Sequence, residues 1–316
     1  MLRVAVPRES DMAETNRIAA VIRLGSIVVF LAIGGHWTAL SASPGQSAAE
    51  MESLLARIGE RVTQFYRRVQ TVMCVERSTV QPISANWSMD GLARTVESDL
   101  RVELRPVGDF EDEAEVVREI RKINGRLPRP RDAKSRNACT DPNPLSPEPL
   151  AFLLPAHRKE YRFTSVKNTT EDGRPALVIA FQTVNRTSRA HLIEDEGGHD
   201  DCFDWKGQIA RSGRVWVDAA TDDVLKVESN LAGPVDIDVP QPLQRRYRFS
   251  SYITLERDDV TMRYRSVRFT DPDESMLLPV AIESITVLRS DLQSMRRTDI
   301  LSDYRRFLTS GHIKKR

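Results

Sequence analysis

The sequence is poor in the features that usually announce an activity. Its 316 residues hold three cysteines, five histidines and a formal net charge of +1. With Lys+Arg 46 against Asp+Glu 45, there is no excess of positive charge for general nucleic-acid binding. Nor do basic and aromatic residues alternate as they do in RNA-binding segments. No Gly-x-Ser-x-Gly elbow presents a serine nucleophile, and no glycine-rich loop could cradle a phosphate. His157, beside Arg158 and Lys159, reads as a surface residue rather than a base. No long tract is low in complexity, and no apolar run reaches the roughly 20 residues that span a bilayer. The composition supports no enzyme, and we expect neither catalytic residues nor a cofactor nor a resident metal.

What the chain does carry begins with its amino-terminal 45 residues. Arg17 and Arg23 precede the apolar run Leu24–Gly35, and the small residues Ala39, Ser41, Ala42 and Ser43 follow it. Positive, then apolar, then small is the order of a secretory signal peptide. A retained membrane anchor is the alternative, although His36 interrupts the run. Residues 1–45 are therefore read as a signal and short leader, and the mature chain is expected in the periplasm or outside the cell. No cysteine lies between Gly25 and Glu50 to take a lipid.

Export gives the cysteines a meaning, because an oxidising compartment permits disulfides. Cys139 and Cys202 sit in irregular polar loops and are expected to bridge; Cys74 lies in an apolar strand and is expected to be a buried free thiol. Unbridged thiols are the alternative.

Along residues 47–70, Met51, Leu54, Leu55, Ile58, Val62, Phe65, Tyr66 and Val69 recur at the three-and-four spacing of an amphipathic helix. The period then changes to that of strands. Thr71–Gln81 and Ser98–Val107 read as strands, and Glu115–Ile123 reads as another, ended by the turn pair Asn124-Gly125. A helix over Glu111–Lys122 competes with that last reading. The proline-rich passage at about 127–155 contains a short apolar helix over Pro149–Leu154, expected to fold over the sheet as a lid. Tyr161–Asn168 and Ala176–Val184 pair about Glu171-Asp172-Gly173, and an insertion at about 185–208 follows. The firmest hairpin is Gly213–Ser229, with Val215 and Val217 before its turn and Leu225 and Val227 after it. Beyond it, Tyr247–Glu256 and Val260–Phe269 are expected to pair about Arg257-Asp258-Asp259, followed by strands at Val280–Leu288 and Arg296–Phe307. This pattern predicts an α+β protein: a curved antiparallel sheet of about ten strands, an open half-barrel covered by the first helix and the lid helix. It forms one domain over residues 46–310, with a short basic tail at 311–316.

The strand-turn-strand from Val215 to Glu228, with Trp216, Asp218, Thr221, Leu225 and Val227 in register, resembles the hairpin of LolA-like proteins, which sort outer-membrane lipoproteins, and of related periplasmic carriers. The likeness extends loosely over residues 50–310. It implies an open half-barrel with helical lids that holds acyl chains, and relatives of this kind also serve as sensors of envelope stress. The proline-rich passage and the His/Asp/Cys insertion have no counterpart in the carrier motif. On this reading the chain is an exported binding protein for an acyl chain or another apolar ligand, a lipid or a lipoprotein. Its cavity wall is expected from Leu100, Val102, Leu104, Val215, Val217, Leu225, Val227, Phe249 and Met262. The alternative is an envelope interaction or sensor module of the same fold, with a filled core and a protein partner.

Three further features carry weaker expectations. His191, His199, Asp200, Asp201, Cys202 and Asp204 are metal-ligand types in one stretch, but without zinc-site spacing they read as a solvated acidic loop. The basic run Arg126, Arg129, Arg131, Lys134 and Arg136 would dock against that acidic loop if Cys139 and Cys202 bridge; binding of anionic lipid is the other reading. Trp216 points away from the apolar face and is expected to pack beneath the 185–208 insertion.

Overall fold

The computed structural model describes residues 4–5, 48–84, 86–107, 111–129, 149–194, 202–290 and 292–306, with the backbone alone over 4–5, 102–107 and 111–116 and at 165. Apart from Val4 and Ala5, the export segment lies outside this set, as do most of the proline-rich passage, Cys139 and residues 195–201.

Helix α1 (Ala48–Val69) opens the described chain, and its buried side is Leu54, Leu55, Ile58, Gly59 and Val62. The apolar stripe foreseen from the spacing is the stripe that packs. Strands β2 (Val72–Ile83), β3 (Arg94–Val107) and β4 (Glu111–Ile123) follow. The helix alternative for β4 loses because β3 pairs with it from Val96↔Ile123 to Val107↔Glu111, with one register shift between Glu97 and Ser98. Good helix formers yield here to a partner strand already in place. A 3₁₀ turn (Ala151–Leu153) and helix α2 (Pro155–Arg158) form the short lid. The hairpin of β5 (Tyr161–Glu171) and β6 (Arg174–Thr183) turns on Asp172 and Gly173, whose φ values of 51° and 77° are those of the two-residue turn that suits strand twist.

The 185–208 insertion is itself a hairpin, β7 (Arg189–Glu194) with β8 (Cys202–Gln208). Then come β9 (Arg211–Asp218), β10 (Val224–Leu231), β11 (Val235–Asp238) and helix α3 (Gln241–Tyr247). The remaining strands are long: β12 (Tyr252–Thr270), β13 (Asp273–Arg289) and β14 (Ser294–Arg306). A two-residue strand, β1 (Val4–Ala5), borders β8.

These fourteen strands make one open, curved sheet. Ten of them run in the order β5-β6-β9-β10-β12-β13-β14-β2-β3-β4, with every neighbouring pair antiparallel; the number and sense of the strands were expected from the sequence, the pairing of β14 with β2 was not. The other four, β1, β8, β7 and β11, form an arm attached to β12. The arm was not foreseen as strands, and it contains a parallel pairing, β11 with β7. One expected hairpin is corrected. Arg257-Asp258-Asp259 is not a turn but lies within β12, which pairs with β13 on both sides of it. Its charges are matched laterally: Asp258 accepts from Thr286 Oγ1 at 2.9 Å and pairs with Arg211, and Arg257 pairs with Asp259. A polar run that would serve as turn chemistry is thereby satisfied inside a strand.

Along one edge, β12 serves two partners. Its residues 252–255 pair with β11 and its residues 260–263 pair with β10. The sheet therefore forks at β12, and its concave face carries two apolar cores, one under each branch.

Candidate functional site

The first core lies beneath α1. Alternation along the strands brings Cys74, Leu100, Ile179, Phe181, Val215, Val217, Val227, Met262, Ile282 and Leu301 to the same side as Leu54, Ile58 and Val62 of the helix, with Leu150 and Leu153 of the lid filling the remaining space. Gly59 permits the lid's approach, since a Cβ there would stand 3.1 Å from the Leu153 carbonyl oxygen. Leu150 N–H donates to Tyr66 Oη at 2.6 Å. Phe152 packs on Phe181 with ring centroids 4.6 Å apart and also meets Tyr161 and Phe163. Gly213 leaves room for that aromatic group, because a Cβ on it would lie 2.6 Å from the Phe181 ring.

Among the described residues no strand pairing ties α1 or the lid to the sheet; side chains do. Arg57 Nε donates to Asp222 Oδ2 at 2.8 Å, Arg61 Nε donates to the Thr221 carbonyl at 2.8 Å, and Arg68 reaches Glu274 at 2.7 Å. Arg158 of α2 meets Glu52 at 2.8 Å. Two of these anchors belong to the turn of the β9–β10 hairpin, which is built on Asp218. Its Oδ1 accepts from the N–H groups of Ala220 and Thr221 at 2.9 and 3.0 Å, and Arg174 lies 2.7 Å from Oδ2. Burial opposes ionisation of Asp218, but these two N–H bonds and the Arg174 guanidinium outweigh it and hold the carboxyl below its ordinary range. Glu228 is likewise held low against the cost of burial, by Lys226 and Arg214.

Away from the fork, at the other end of the β10–β12 pairing, lies a pocket of about 660 Å³, within the ~300–1,000 Å³ typical of small-molecule sites. Pairing of β10 with β12 stops at Lys226↔Arg263. Past that point Asp223 and Leu225 face Tyr264, Arg265 and Ser266 across the gap, with Met276 and Leu277 behind them. Asp223, Tyr264 and Leu277 also line a cavity of about 30 Å³ under α1, together with Val62, Phe65 and Leu150. The pocket and this small cavity thus share one wall. Burial pushes the Tyr264 hydroxyl well above its usual range; it donates to Met262 Sδ at 2.8 Å. Burial and the neighbouring Glu76 push the Cys74 thiol up to about 12, so at neutral pH it is a protonated, inert core residue.

The expected wall residues divide. Leu100, Val215, Val217, Val227 and Met262 come together in the first core. Leu225 does not join them: a register shift between Val224 and Lys226 turns Val224 inward and Leu225 outward, where it packs with Trp216 and lines the pocket. Phe249 belongs to the second core, against Phe203 at 5.1 Å. The side chains of Val102 and Leu104 lie outside the described residues. Trp216 points outward as expected, but among the described residues the covering side chains are Lys226 and Arg214, at 4.2 and 5.0 Å from its ring, rather than those of the insertion.

Sequence reasoning missed the polar residues of the concave face. Glu76 and Ser78 share the inward side of β2 with Cys74 and Val80, which belong to the first and second cores respectively. Arg118 Nε and Nη2 donate to Glu76 at 2.5 and 2.9 Å, and Arg297 Nε donates to Asp299 at 2.8 Å. A buried polar belt therefore separates the two cores. The available signal was the interruption of apolar alternation at Glu76 and Ser78 in an otherwise apolar strand.

Among the described residues no group of three or more His, Cys, Asp and Glu is placed to hold a metal ion; the acids at 195–201 lie outside them. Cys74 is the free, buried cysteine. No described helix is long and apolar enough to cross a membrane.

Three solved structures are similar to the chain over most of its length. The chain resembles a LolA superfamily protein in fold. That protein, from Nitrosomonas europaea, shares 12% identity over 80% of this chain and 94% of its own, with a TM-score of 0.32. A DUF1329 family protein from Desulfovibrio piger shares 9% identity over 82% of this chain and 94% of its own, at a TM-score of 0.33. The Pseudomonas aeruginosa MucA/MucB complex shares 11% identity over 81% of this chain and 98% of its own, at 0.20. Superpositions this loose add nothing to what the strand order already establishes. No family model and no curated protein matches the sequence.

Proposed function

We propose that the chain is an exported, periplasmic or secreted binding protein, one domain over residues 46–310, that shelters an acyl chain or similar apolar ligand beneath α1. What carries the reading is the pocket where β10 and β12 part beyond Lys226↔Arg263. It shares Asp223, Tyr264 and Leu277 with the cavity under α1, whose covers are held by side chains alone among the described residues. An acyl chain entering there would displace Leu150, Leu153 and the inner face of α1 and meet Val224, Val227, Met262 and Ile282 in their place. The apolar area exchanged would be similar in both states, so the cost is mainly that of breaking the anchors at Asp222, Thr221 and Glu274. A disulfide between Cys139 and Cys202 is part of this proposal, supported by Cys74 being the free thiol among the described residues.

A second reading is favoured by the packing of the first core. In the described state Leu54, Ile58, Leu150 and Leu153 already occupy the hollow, as they would in an envelope interaction or sensor module with a permanently filled core and a protein partner.

Native mass spectrometry of the mature chain, before and after solvent extraction, separates the two. A mass excess that extraction removes, identified as an acyl species, supports the carrier. A bare polypeptide mass that persists after lipids are added back rejects it in favour of the filled module.

A further inference from the structure

The polar belt is built as though something must complete it. Glu76 and Ser98 are 0% exposed, Ser78 and Asp299 1%, and Arg297 6%. Ser78 stands directly opposite Asp299 on β14, and Glu76 directly opposite Ser98 on β3, so the group occupies adjoining positions on three strands. Some of its hydrogen-bonding capacity is used internally, by Arg118 with Glu76 and by Arg297 Nε with Asp299 Oδ1. The rest is not. Ser78 Oγ, Ser98 Oγ, Arg297 Nη2 and Asp299 Oδ2 are buried without a hydrogen-bond partner, although Arg297 Nη2 lies 3.7 Å from Glu76 Oε1. Buried polar atoms in native proteins are nearly always satisfied, so unmatched donors and acceptors gathered on one face point to a missing partner.

We infer that the belt binds the neutral, hydrogen-bonding head of an amphiphile whose acyl chain lies in the first core, an inference that rests on the carrier reading above. The chemistry follows from the charges present. Glu76 is paired with Arg118 and Asp299 with Arg297, and Arg94, opposite Val80 on the same face, has a partner as well, so the belt offers no uncommitted charge to a phosphate or an ammonium group, and either would meet a like charge within it. What remains is a pair of hydroxyls, one guanidinium N–H donor and one carboxylate acceptor. Such a set suits a group that donates and accepts at once, such as the hydroxyls and ester of a monoacylglycerol or an amide linkage. The spacing agrees. Cys74, Glu76 and Ser78 are alternate residues on one strand, so the belt begins within about 7 Å of the first core.

The test uses the full mature chain and displacement of the neutral apolar dye N-phenyl-1-naphthylamine by 1-monopalmitoylglycerol or by palmitate. Monopalmitoylglycerol is expected to compete about tenfold or more better than palmitate, a difference of about 1.4 kcal/mol. The double variant Ser78→Ala, Ser98→Ala should lose that advantage while dye affinity stays the same. Its melting temperature should not fall, because the hydroxyls removed have no partner to lose. If the two amphiphiles compete equally, or if the double variant still prefers the glyceride, the belt is completed by water instead and the inference is overturned, while dye binding leaves the carrier reading standing. If neither dye nor amphiphile binds, the carrier reading fails and the inference with it.

Discussion

The two halves of the concave face differ in how they are covered. Over the first core lie α1 and the lid, which among the described residues make no strand pairing with the sheet and are fastened by a few side-chain anchors. Over the second, the arm of β8, β7 and β11 is bonded into the sheet itself, and Phe203, Trp205 and Ile237 are fixed there around Leu243 of α3 and Phe249. Both halves bury similar side chains, yet only the first could release its cover without breaking backbone pairing. Function in a carrier needs that asymmetry, because a cover that is part of the sheet opens only when the sheet unfolds.

The largest expected effect tests the rigid half. Phe203 is fully buried and meets Tyr247 and Phe249 edge-on; Phe203→Ala should cost about 3–5 kcal/mol of global stability, read by urea unfolding. In the covered half, Ile58→Ala removes a fully buried side chain of α1 and should cost about 2–5 kcal/mol if the helix unfolds with the sheet. If α1 instead opens locally, its amides should exchange hydrogen well before those of β12 and β13, and equal protection would erase the contrast between the halves.

Smaller effects sharpen the same contrast. Asp218→Ala removes the acceptor that shapes the hairpin turn on which α1 rests, for a loss of about 1–3 kcal/mol at neutral pH. Because the folded carboxyl lies below its ordinary range, its contribution is present above the unfolded value of about 3.9 and lost as pH falls through the lower folded value. Asp218→Asn should therefore flatten the acid limb of the stability profile, and an unchanged limb would contradict the assignment. Loosening the anchor by Asp222→Ala should change stability by no more than about 1 kcal/mol, but it should speed alkylation of Cys74, a thiol pushed up to about 12 by burial that lies beneath the cover. Wild-type labelling is expected to be slow under native conditions and complete on unfolding.

Much of this half was legible in advance. The three-and-four stripe of α1 and the Val215, Val217 and Val227 faces each obeyed a period that one side of the element alone dictates. Leu225 escaped because a single-residue bulge reverses facing without any sign in composition. Asp258 was misread because a turn and a laterally satisfied strand use the same residues, and only the partners Thr286 and Arg211, distant in sequence, distinguish them. The arm was opaque for a similar reason. The strands β7 and β11 are short, and their parallel pairing joins segments far apart in the chain.

The fork at β12 bears on how such a chain can vary over evolution. Four residues, Glu256 to Asp259, separate the stretch that pairs with β11 from the stretch that pairs with β10. That interval holds a register shift between Leu255 and Arg257, one residue more than β13 opposes. Leu255 and Met262 reach their two cores on the same face only because of that extra residue. Descendants of the fold should keep the bulge while changing almost everything around it.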